Sequence, residues 1–71
     1  MRAELERRIE ERLGRAEWWL DAGRLRYVDE ALDGLEGALA ALPKLEERRG
    51  RIAALLIYAL TRALLAERIS R

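Results

Sequence analysis

Apolar residues recur along the first third of the chain at intervals of four, four, three and four: Leu5, Ile9, Leu13, Ala16 and Leu20, with Trp19 at the edge of the stripe. This is the period of an amphipathic helix and predicts one from about Arg2 to Ala22. Its polar face carries Glu4 with Arg8 and Glu11 with Arg15, an i,i+4 order that adds about 0.2–0.5 kcal/mol per pair to an isolated helix. A second run, Leu25, Val28, Leu32, Leu35, Leu39 and Leu42, keeps a three-four-three-four-three spacing. It predicts a helix over 25–42 lying nearly antiparallel to a neighbour. Beside that seam Ala31, Gly34, Ala38 and Ala41 form a ridge of small residues. Gly34 and Gly37 each cost up to about 1 kcal/mol inside a helix, so they are either accepted for close backbone packing or tolerated at the surface. Pro43 ends this helix and suits the first turn of the next, expected over 44–70 with Gly50 as a candidate kink.

The third stretch differs in kind. From Ile52 to Ala66 every position is apolar except Thr61 and Arg62, and a helix apolar all round is a buried helix. Two seams can be read on it: Ile52, Leu56, Ala59, Ala63 and Ala66, and beside them Arg51, Leu55, Tyr58, Arg62, Leu65 and Ile69. Two heptad seams on one helix mean two sets of neighbours. In a chain of 71 residues two short helices cannot surround it, so the expectation is a homo-oligomer, a dimer, with a coiled-coil-like interface. The residues expected there are Trp18, Ile52, Leu55, Leu56, Tyr58, Ala59, Arg62, Ala63 and Leu65. Trp18 enters because it lies opposite the centre of the first stripe, one turn after the notch at Gly14, and Trp is favoured as an interface anchor. If buried, Arg62 needs a carboxylate; Asp29, Asp33 and Glu36 are the candidates, unless that acidic trio is an ordinary solvated face.

The first connection reads two ways. Asp21, Ala22 and Gly23 form a turn closed by Gly23, or the helix runs on from Arg2 to Leu42 and folds back on the last helix as a hairpin. Both readings are all-α, a small antiparallel helical bundle in one domain.

Composition narrows the chemistry. A core this small rarely supplies more than about 3–5 kcal/mol unaided; the absence of Cys excludes a disulfide staple, and the absence of both Cys and His argues against a structural zinc site. Oligomerisation is the remaining remedy. Hydroxyls are confined to Thr61, Ser70, Tyr27 and Tyr58, with no imidazole or thiol to activate or replace them. No catalytic residue, cofactor or metal site is therefore expected, and the chain is not read as an enzyme. Fourteen basic against thirteen acidic residues leave a formal charge of +1, which argues against nucleic acid. The basic cluster Arg48, Arg49 and Arg51 is the one place where a helical dimer would contact RNA or DNA. All cations but Lys44 are Arg, and Asn and Gln are absent, a bias compatible with heat adaptation and a thermostable chain. The 52–66 run is shorter than the roughly 20 residues of a bilayer span, and the charged segment after Met1 is not a secretory signal. A cytoplasmic protein is expected, with an amphipathic helix at a membrane surface as a rival reading.

Two resemblances bear on this. Ala31, Leu35, Ala38, Leu39 and Pro43 resemble the second helix of a tetratricopeptide repeat, which would imply a helical hairpin array. The segment before them lacks the Trp, Leu, Gly and Tyr pattern of the repeat's first helix, so no peptide groove is carried over. The alphabet of Ala, Leu, Arg and Glu also resembles that of computationally designed helical bundles, which would imply no natural function. Interior glycines, adjacent tryptophans and scarce helix caps depart from that pattern. The expected role is a non-catalytic interaction module that assembles with itself, or with another protein, through its C-terminal helix.

Overall fold

Two glycines in the left-handed region, Gly23 with φ 72° and Gly34 with φ 76°, set where the elements end. The computed structural model describes residues 2–69, of which helices cover 87%, with no strand among them. The first helix, α1, runs Arg2–Asp21. Beyond it the Gly23 N–H donates to the Leu20 carbonyl at 3.1 Å and the Arg24 N–H to the Trp19 carbonyl at 2.9 Å. That paired closure is the Schellman arrangement, in which a glycine at positive φ lets two late carbonyls be satisfied. The continuous-helix alternative is thereby removed.

The expected single helix over 25–42 is two helices, α2 Leu25–Leu32 and α3 Glu36–Leu39. Asp33 closes α2 by donating its N–H to the Asp29 and Glu30 carbonyls, and Gly34 then turns the chain. The hydrophobic spacing survives the break: Val28, Leu32, Leu35 and Leu39 are all buried. Periodicity reports which residues face inward, and a one-residue reversal of φ between two short helices leaves that record intact. The glycines are not packing notches, since an added Cβ would meet nothing within 4 Å at either Gly34 or Gly37. Their substitutions should therefore move stability in opposite directions. Gly34→Ala forces a left-handed alanine and is expected to cost about 1–2 kcal/mol. Gly37→Ala, inside α3, is expected to gain about 0.4–1 kcal/mol. Thermal unfolding followed by circular dichroism measures both.

The last helix, α4, spans Pro43–Ile69 without interruption at Gly50; the expected end at Ser70 lies outside the described residues. One apolar cluster joins all four helices, with Ile9, Leu13 and Ala16 from α1, Val28, Ala31 and Leu32 from α2, Leu39 from α3 and Ile52 and Leu56 from α4. Leu35, in the turn before α3, completes it. Leu13, Val28 and Leu39 are fully enclosed.

The molecule is a rod of 52 × 18 × 16 Å with a radius of gyration of 13.9 Å, against about 11 Å for a compact chain of this length. The excess length belongs to α4. Its 27 residues span about 40 Å at 1.5 Å per residue, yet the last of them to enter the core is Leu56. From Leu60 to Ile69 every residue is exposed.

Candidate self-association surface

An exposed helix in water should carry polar residues around most of its circumference; the outer half of α4 does not. Leu55, Ile57, Tyr58, Leu60, Leu64, Leu65 and Ile69 are all 43–84% exposed. At 100° per residue they fall on two faces. Leu55, Tyr58, Leu65 and Ile69 share one with Arg62, and Ile57, Leu60 and Leu64 lie on the far side. The Arg62 guanidinium sits 5.7 Å from the centroid of the Tyr58 ring, within the range of a cation–π contact. The Thr61 hydroxyl donates to the Ile57 carbonyl of its own helix at 2.8 Å, the usual way a mid-helix threonine satisfies itself.

The expected interface residues divide accordingly. Leu55, Tyr58, Arg62, Ala63 and Leu65 are exposed and Ala59 is half-buried. Ile52 and Leu56 are instead core residues at 2% and 5% exposure. Their seam is filled by the chain's own helices, because Leu32, Asp33 and Glu36 stand against Ala53 and Leu56 around a cleft of about 210 Å³. Ile57, Leu60 and Leu64 lie outside both heptad seams, although the apolar run from Ile52 to Ala66 already contains the signal.

Trp18 is 62% exposed, as its position opposite the α1 stripe requires. Its neighbour Trp19 packs against the core. The two rings meet edge to face at 4.7 Å, and Trp19 lies a further 4.7 Å from the Tyr27 ring. An outward indole is thus braced by an inward one.

The arginines of the basic cluster are mostly engaged. Arg48 donates through Nε to the Glu17 carboxylate at 3.1 Å and through a second nitrogen to the same oxygen. This hydrogen bond raises the guanidinium pKa further above its ordinary value, against partial desolvation. Arg49 faces Glu36 at 4.0 Å, and its Nε is buried without a hydrogen-bond partner. Of the three, Arg51 alone is exposed, Arg48 and Arg49 being half-buried. The structure therefore does not assemble the cluster into an open phosphate-binding surface. Nor does the acidic trio serve Arg62: Asp29, Asp33 and Glu36 line the cleft beside Arg49, while Arg62 stays at the surface over Tyr58. On α1 the Glu4–Arg8 pair forms at 3.1 Å, whereas Glu11 is taken at 2.9 Å by Arg7 rather than by the expected Arg15.

Among the described residues no group of three or more carboxylates gathers as a metal site, and no helix is long and apolar enough to cross a membrane. The tetratricopeptide-like run is divided between α2, the Gly34 turn and α3, so it does not form the repeat's second helix. No family model matches the chain, and neither a curated protein nor a solved structure matches it.

Proposed function

We propose that this chain is a non-catalytic assembly module that forms a homodimer through the outer half of α4. The observation that carries the reading is the apolar circumference of residues 55–69. Seven large apolar side chains at about half exposure or more offer on the order of 700 Å² per copy over the two faces together, where each partner in a standard interface brings ~800 Å². A helix standing in water rarely leaves large apolar side chains on both of these faces. A second copy is the natural occupant because each copy carries the same deficit, and burial offsets it in both at once. The engaged state of Arg48 and Arg49 and the near-neutral charge favour this role over nucleic-acid binding.

Light scattering coupled to size exclusion at micromolar concentration tests the proposal. A mass of twice 8.2 kDa is the expected result, and a folded monomer overturns it. Trp18→Ala should leave both association and helix content little changed, since the indole is exposed on α1, outside the α4 surface, and contributes nothing to the enclosed core. A dilution series of the two proteins measures this.

A further inference from the structure

We infer that the two copies join antiparallel along Arg51, Leu55, Tyr58, Arg62, Leu65 and Ile69, with the two-fold axis at the level of Leu60. This rests on the self-association reading and adds its direction and register. At 100° per residue the six positions fall within an arc of about 80°, a single narrow seam. A two-fold interface uses the same patch on both copies, so residue i meets j where j meets i. Reversing the chain about position 60 exchanges 51 with 69, 55 with 65 and 58 with 62: the seam maps onto itself without a remainder.

The two inner pairs so formed are chemically matched, and the third, Arg51 with the partner's Ile69, lies at the ends of the contact. Leu55 meets the partner's Leu65, and Tyr58 meets the partner's Arg62. The Arg62 guanidinium, already 5.7 Å from one Tyr58 ring, gains a second aromatic neighbour on the other side. A parallel pairing in register would place Arg51 on Arg51 and Arg62 on Arg62, stacking like charges in two layers of the contact. Antiparallel pairing also meets the need created by the fold. It lays the unsupported tip, residues 60–69, alongside the half of the partner's α4 that is backed by its own core at Ile52 and Leu56. Ala59 and Ala66 flank the seam toward that core and permit close approach.

The chain has no cysteine, so introduced thiols report geometry without interference. In the double variant Leu55→Cys/Leu65→Cys the two thiols of one chain are about 15 Å apart along α4, too far to bridge internally. Oxidation should convert nearly all chains to a covalent dimer on a non-reducing gel, while each single variant stays unlinked. Both sites are about half exposed in the single chain, so folding is preserved. A single variant that cross-links alone would set that position against itself, as parallel pairing or a different register does, and overturn the inference. So would efficient cross-linking of Ile57→Cys/Leu64→Cys on the opposite face, or an unlinked double variant whose scattering mass is that of a dimer. A monomeric mass would overturn the self-association reading itself.

Discussion

Leu56→Asp is expected to abolish the cooperative fold. Leu56 is 5% exposed and lies on the cleft already lined by Asp29, Asp33 and Glu36, so the new carboxylate would be buried beside three others with Arg49 the only cation among the lining residues. An uncompensated buried charge costs about 3–5 kcal/mol, as much as the whole core of a domain this small supplies, roughly 3–5 kcal/mol. The loss cannot be absorbed by local repacking, because the affected side chain ties α2 and α4 together. Far-UV circular dichroism should show most helical signal lost at room temperature. Leu56→Met, which conserves volume, is expected to cost less than about 1.5 kcal/mol. A native spectrum in the Asp variant would mean that Leu56 does not face the core.

Leu65→Glu should produce the opposite separation of effects. Leu65 is 51% exposed and lies nine residues beyond Leu56, the last α4 residue in the core, so the isolated chain loses nothing by the change and gains a good helix former. The assembled state would bury two carboxylates, one per copy, against Leu55. A rise of at least a hundredfold in the dissociation constant is expected, equivalent to about 2.7 kcal/mol. Equilibrium sedimentation over a range of concentrations reads the mass, and circular dichroism on the same samples should show the helix retained. Unchanged mass in this variant would exclude the outer half of α4 as the interface. Together the two substitutions, on one helix and nine positions apart, divide what folds the chain from what joins its copies.

Much of this architecture was readable in the order of residues. Intervals of three and four identified Ile9, Leu13 and Ala16 on α1 and Val28, Leu32, Leu35 and Leu39 further on as inward-facing, and all are buried. The Gly23 turn and the Pro43 start of α4 follow from local backbone chemistry that acts within a few residues. Gly34 escaped because an apolar spacing that continues in phase across a turn resembles one that continues through a helix. Assigning Ile52 and Leu56 to an interface failed for a different reason: a helix apolar all round does not announce which of its faces is claimed by its own chain and which is left over. That division depends on how far α1 and α2 reach along α4, and their reach is set by the two short turns rather than by any residue of α4 itself. The arginines show the same limit, since Arg48 and Arg49 look alike in sequence and their carboxylates, Glu17 and Glu36, are brought to them only by tertiary packing.

The core contains aliphatic side chains alone, with no polar or charged residue buried among the described ones. Grease of this kind drives collapse but is indifferent to sliding, because leucines and isoleucines lose little when one rod shifts a turn against its neighbour. Directional contacts must then supply the alignment. The Arg48–Glu17 ion pair, spanning α4 and α1 beside the Gly14 gap, is placed to do so: it acts as a locating pin, worth little as adhesive in its partly solvated setting yet able to reject misaligned versions of the same collapsed chain.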